Sequence, residues 1–204
     1  MHPFRETTPT RRPERAECKY YNSYLKTLRE DFQERCGYCD DSDRLRIRSY
    51  TIDHFIPQNP KGFIHDIKPN NYYNLVYACR YCNSAKTNKW PTKNHKVHND
   101  GKMGFIDPVE KEYTDFYKRS NKGKIEPVDD KNVLAHHIIE ELKLWLPIHE
   151  RMWKLEKIKK LNELIQSKLD NVEAGEYKIE LEQLHYQILK VWIKIQDSVF
   201  VENE

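Results

Sequence analysis

The sequence predicts an α+β chain: a small cysteine-stapled module of strands and helix, led by a helix and followed by a helical hairpin. Three observations predict it. The spacing Cys-x-x-Cys occurs twice, at Cys36–Cys39 and at Cys79–Cys82. Between the pairs, short apolar runs are separated by turn-forming residues, as in strands and loops. Beyond about Asp130, leucines and isoleucines recur at spacings of three and four, the period of a helix face.

The chain has 204 residues, enough for one domain with a core or for a small module with a helical appendage. Charged residues make up 33% and the mean hydropathy is −0.94, yet aromatics reach 12%, with 13 Tyr and 4 Trp. Disordered chains lack aromatics, so these figures describe a folded protein with a very polar surface. No run approaches the roughly 18 apolar residues of a membrane span. The opening residues, MHPFRETTPTRRPERAE, contain no apolar stretch of the secretory kind, and the expected location is the cytoplasm. Residues 1–19 read as a basic flexible tail, with a nucleic-acid- or partner-binding arm as the alternative.

The elements follow in order. Tyr21, Tyr24, Leu25, Leu28 and Phe32 mark one face of a helix over residues 20–35, running into Cys36. Cys36-Gly37-Tyr38-Cys39 reads as a tight knuckle, with Gly37 permitting the turn. Leu45, Ile47 and the run Tyr50–Ile56 read as strands, with Arg44, Arg46 and Arg48 alternating onto one face. Pro57, Pro60, Gly62, Pro69 and Asn70 punctuate a long loop. Asn74–Lys89 reads as helical around the second cysteine pair. The module with its leading helix spans residues 20–100, and 101–130 form an irregular connector with a short strand or helix. Residues 131–204 form the helical region. There Leu134, Ile138 and Leu142 precede a break at Pro147, and Leu155, Ile158, Leu161, Ile165 and Leu169 form a first arm ending at Ala174-Gly175. Leu181, Leu184, Ile188, Val191 and Ile195 form a second, at heptad spacing. Packing between the arms and docking of a partner are both compatible with that pattern.

In a chain expected to be reduced, paired Cys-x-x-Cys knuckles favour metal over disulfide. Four thiolates, Cys36, Cys39, Cys79 and Cys82, are the closed set of a structural zinc site. An iron–sulfur cluster and redox disulfides are the competing readings, and Cys18 stands apart. From Arg80 to Lys102 there are six basic residues and one acidic residue. Such a strip suits phosphate, though charge alone equally describes a solvated face, and Arg80, Lys86 and Lys89 are its candidate nucleic-acid contacts.

Three further groups lie inside or beside this frame: Asp53-His54 in TIDHFIP, Asn74-Leu75, and Asn83 directly after the last cysteine. Adjacent residues on a strand face opposite ways. A histidine suits a general base near neutrality. Carboxylate and amide oxygens are hard ligands that suit Mg²⁺ or Mn²⁺. Singly, each also has an ordinary reading as a surface pair or a helix cap.

Taken in order, the motifs CGYC, DHFIP, NL and CRYCNSAK resemble the HNH, or ββα-metal, nuclease family over Cys36–Lys89. The resemblance implies that His54 is the general base, that Asp53 and Asn83 hold a catalytic Mg²⁺ or Mn²⁺, and that Asn74 holds the loop and orients His54. It implies a zinc on the four cysteines. Asn83 stands where many members carry His, which moves the metal preference toward Mg²⁺ or Mn²⁺. A narrower likeness runs from Phe105-Ile106-Asp107-Pro108 through GKIEP to a helix with Leu142, Leu144 and Arg151. It resembles the HNH subunits of Septu and retron antiphage systems, and implies an ATPase partner docked on the C-terminal helices. The function expected is a DNA endonuclease serving as a defence effector. A ribonuclease acting on tRNA, or a non-catalytic zinc-dependent nucleic-acid-binding module, are the alternatives.

Overall fold

The computed structural model describes residues 2–45 and 49–200, the side chain of Phe200 excepted. The chain divides into two compact units, Met1–Leu146 and Pro147–Glu204.

The first unit opens with a two-residue strand, β1 (His2–Pro3). A 3₁₀ turn at Tyr21–Tyr24 leads into α1 (Leu25–Asp31). After the first knuckle come β2 (Tyr50–His54), β3 (Leu75–Cys79) and α2 (Arg80–Lys86). Then follow α3 (Lys111–Asp115), β4 (Tyr117–Arg119), β5 (Ile125–Pro127) and α4 (Val133–Glu141). β2 and β3 pair antiparallel, with Tyr50 opposite Cys79 and His54 opposite Leu75. A second sheet has the order β1–β4–β5.

The helix expected over Asn74–Lys89 is corrected: its first part is β3. Leu75-Val76-Tyr77-Ala78-Cys79 is a short, wholly buried apolar run, and periodicity alone cannot assign such a run. The free ladder of β2 decides for strand. The helix begins only at Arg80, where the Cys79 sulfur accepts from the Cys82 amide at 3.5 Å and caps it. The strand expected to run to Ile56 stops at His54. Leu45 lies in a 3₁₀ turn at Asp43–Leu45, where Arg44 pairs with Glu34 at 2.7 Å. Arg46, Ile47 and Arg48 lie outside the described residues.

The flexible tail expected over residues 1–19 is also corrected. β1 pairs with β4, and Phe4 is buried beside Tyr117, ring centroids 5.4 Å apart. Arg5 is buried and donates to the Gly37 and Pro108 carbonyls at 2.7 and 3.2 Å. Arg11 grips Asp107 with both terminal nitrogens, at 2.8 and 3.0 Å, and donates to the Leu75 carbonyl at 2.8 Å. Releasing this segment would strand buried polar groups, which is costly.

Gly37 serves packing rather than a turn conformation. A Cβ there would lie 2.7 Å from Phe32 and 2.8 Å from Val76. The left-handed residue of the knuckle is Asp40, with φ 63°. The core joins Leu28, Tyr38, Leu75, Val76, Trp90 and Phe105 to residues of α4 such as Leu134, Ile138 and Leu142. The boundary expected at residue 130 therefore moves to 146, since α4 belongs to the first unit.

The second unit is a hairpin of α5 (Pro147–Leu169) and α6 (Glu176–Phe200). Pro147 opens α5, where its missing N–H costs nothing, so the break falls ahead of the proline. Ile165 and Leu181 are buried, whereas Leu184 and Val191 of the expected seam are 45% and 50% exposed.

Candidate metal centre and active site

The two knuckles are brought together by the β2–β3 hairpin and the start of α2. The four sulfurs of Cys36, Cys39, Cys79 and Cys82 lie within 4.8 Å of one another and are buried. Cys39 and Cys79 are 3.7 Å apart. A tetrahedral ion with bonds of about 2.3 Å sets its sulfurs about 3.8 Å apart, so the four could hold a zinc. Burial pushes the Cys39 and Cys82 thiols up. Burial opposes ionisation of Cys36 as well, but hydrogen bonds from the other three thiols pull it well down. Ionising all four therefore requires a cation.

The peptide carbonyls of the first knuckle are held from outside it. Arg5 donates to Gly37 at 2.7 Å, Tyr113 to Tyr38 at 2.8 Å and Arg119 to Cys39 at 2.6 Å. The Gly37 amide donates to the Tyr77 carbonyl of β3 at 2.8 Å.

At the end of β2 the alternation of strand residues separates Asp53 from His54. Asp53 is buried, and its Oδ2 accepts from the Tyr38 hydroxyl at 2.6 Å. The same oxygen faces Lys86 Nζ at 3.1 Å. Lys86 is wholly buried and also donates to the His54 carbonyl, at 2.8 Å. Burial lowers the Lys86 pKa, while Asp53 opposes that shift. Burial and Asp53 raise the Tyr38 pKa well above its usual range, so the hydroxyl stays protonated and donates.

His54 is half-exposed, with its Nε2 at 2.8 Å from the Pro69 carbonyl. A carbonyl only accepts, so Nε2 carries the proton and Nδ1 keeps its lone pair. Gln58 approaches Nε2 at 2.8 Å and Nδ1 at 3.5 Å. With the Nε2 proton in place, the Gln58 amide must present its oxygen there. The Tyr21 ring stands edge-on to the imidazole at 4.8 Å. Burial lowers the His54 pKa, against the pull of Pro69 and Asp53, so the ring is neutral at pH 7.

Asn74 is buried and clamps the chain just beyond His54. Its Oδ1 accepts from the Ile56 amide at 2.8 Å, and its Nδ2 donates to the Ile56 carbonyl at 2.9 Å. The backbone carbonyl of Asn74 accepts from Phe55 at 2.8 Å. Asn83 is half-exposed on α2, and its side-chain amide has no hydrogen bond among the described residues. It lies three residues before Lys86, hence on the same helix face. Lys86 itself reaches Asp53, so that face turns toward the end of β2. Asp53 and Asn83 could thus offer two hard oxygens to a divalent cation, only one of them anionic.

Among the expected nucleic-acid contacts, Lys86 is corrected. It is sealed from solvent and committed to Asp53 and His54, so it cannot reach a phosphate backbone. Lys89 is engaged by Glu141, at 3.2 Å to the carbonyl and 3.0 Å to Oε2. Arg80 is exposed. Tyr21, Tyr38, Gln58 and Pro69 were not expected at the site. Tyr38 lies inside the first knuckle, which is the one sequence signal that could have drawn attention to it.

The family model described as HNH endonuclease matches residues 36–89, from the first cysteine to Lys89. The match covers about a quarter of the chain, supports the HNH family for this module, and with it the nuclease class. No curated protein and no solved structure matches the chain. Among the described residues, no helix is long and apolar enough to cross a membrane.

Proposed function

We propose that the chain is a DNA endonuclease that hydrolyses phosphodiester bonds, with His54 as general base. The observation that carries this reading is the orientation of His54. Its Nε2 is fixed on the Pro69 carbonyl, which leaves Nδ1 as the basic atom, and the Asp53–Lys86 pair is tied to the same residue through the His54 carbonyl. Nδ1 takes a proton from water as the water oxygen attacks phosphorus. The phosphorus–oxygen bond to the leaving group breaks, and the departing oxygen is protonated by solvent. Asn74 positions His54 by fixing the peptide of Ile56. Asp53 and Asn83 would hold a Mg²⁺ or Mn²⁺ ion, whose chemistry is to offset charge growing on the phosphate oxygens. Zinc on the four cysteines supplies structure, not turnover.

Plasmid cleavage with Mg²⁺ or Mn²⁺, compared with His54→Ala, tests the assignment. Loss of cleavage in the variant is expected, and equal cleavage by both overturns it. Competition between labelled DNA and RNA of the same sequence separates DNA from RNA as substrate. The wider role follows the narrower resemblance: an antiphage effector whose helical hairpin docks an ATPase subunit. Ile179, Tyr186 and Ile193, seven residues apart and each more than half exposed, support a docking role. Activity of the lone protein unchanged by adding such a partner, with no complex on gel filtration, overturns it.

A further inference from the structure

We propose that Lys86 makes occupation of the Asp53–Asn83 site by a divalent cation conditional on a nucleic-acid phosphate. The inference rests on the reading of Asp53 and Asn83 as the cation site. Asp53 contributes one negative charge and Lys86, 3.1 Å from its Oδ2, one positive charge. Asn83 is uncharged. Asp53, Lys86 and Asn83 therefore sum to zero before any ion enters.

Asp53 is further engaged by Tyr38, whose hydroxyl occupies the same Oδ2 at 2.6 Å. Only Oδ1 of the carboxylate is left to an ion. Mg²⁺ binds through carboxylates supplemented by substrate phosphates and water rather than in an all-protein cage. Here the single carboxylate is already neutralised, and like charges disfavour entry. Lys86 cannot swing away to relieve this. It is wholly buried, holds the His54 carbonyl at 2.8 Å and lies over the Phe105 ring at 5.8 Å. The missing negative charge has one natural source, the scissile phosphate. Ion and nucleic acid then bind with positive coupling, and the coupling is reciprocal. Lys86 acts as a positioning residue. It sets the charge of the site and touches neither water nor phosphate.

The test measures Mn²⁺ binding by electron paramagnetic resonance on zinc-loaded full-length protein carrying His54→Ala, which blocks turnover. Titrations are run alone and with a short DNA duplex. The expected result is weak binding alone and at least tenfold tighter binding with the duplex. Adding Lys86→Met should tighten Mn²⁺ binding without DNA at least tenfold and shrink the coupling. Lys86→Arg should preserve both the weak binding and the coupling. Equal Mn²⁺ affinity with and without duplex overturns the proposal, and that measurement needs no variant of Lys86. Weaker binding in a folded Lys86→Met protein also overturns it. Adding Asp53→Ala distinguishes the two levels. If Mn²⁺ binding survives that change, the cation site itself is misplaced and the proposal falls with it.

Discussion

Asn74→Ala removes both hydrogen bonds that the side chain makes to Ile56 and leaves that residue's N–H and C=O unpaired in a buried setting. An unsatisfied buried group costs about 1–3 kcal/mol. Two such groups, softened by partial access of water through the shortened side chain, give an expected loss of about 2–4 kcal/mol. Urea unfolding followed by fluorescence measures it, since Trp90 lies in the same core, 5.2 Å from Phe55. Hydrogen exchange at Ile56 localises it, because its amide loses its acceptor. Cleavage should fall as well, because residues immediately after His54 are released. Asn74→Asp is a sharper probe: it keeps the acceptor for the Ile56 amide but turns an anionic oxygen on the Ile56 carbonyl. It should be no better tolerated than alanine. A loss below about 0.5 kcal/mol for Asn74→Ala, with normal protection at Ile56, would refute the clamp and the size assigned to buried unpaired groups.

Other outcomes follow from the same geometry. Removing zinc by chelation, or Cys82→Ser, should unfold the first unit while the α5–α6 hairpin keeps its helical circular dichroism; metal release should read one zinc per chain. Gly37→Ala should cost about 1–3 kcal/mol by overpacking, since its methyl meets Phe32 and Val76 inside 3 Å. Catalysis requires neutral His54, and burial lowers its folded-state pKa. Activity should therefore be full near pH 7 and decline only as pH falls through a value below the usual ~6.5. An acid limb centred above that value would contradict the assignment. Arg80→Ala should weaken DNA binding and reduce the salt slope by roughly one unit, whereas Lys89→Ala should change the slope little because Glu141 already engages Lys89.

Much of the site was legible because it is local. Cys-x-x-Cys brings two sulfurs onto one turn, and the Asp-His pair on a strand must face opposite ways, as Asp53 and His54 do. The leading helix and the two arms of the hairpin were legible from spacing. The remainder depends on contacts far apart in the chain. β3 could not be separated from a helix until β2 lay beside it. Lys86 looked like one of a basic strip, yet it lies four residues past the buried Cys82, on the face of α2 turned to the core. Nothing local marks Phe4 and Arg5 as buried or Arg11 as anchored, because their partners Tyr117, Gly37 and Asp107 are remote. Pro69 reaches His54 only through the path of the long loop, and Gln58, though four residues on, turns back to the ring only because β2 ends at His54.

The clasp formed by Arg5, Tyr113 and Arg119 gives the 36–89 segment a mechanical boundary wider than its sequence boundary. Each holds a carbonyl of the first knuckle, and each lies outside that segment. The flanks act as the other half of a mould. A fragment cut at residues 36 and 89 keeps every zinc ligand and every proposed catalytic group, yet loses three donors to the knuckle backbone. Transplanted into another host, the segment would need replacements for two guanidinium groups and a phenol before it could hold its metal in the same way. Drift in the flanks is therefore constrained by chemistry that takes place elsewhere in the chain.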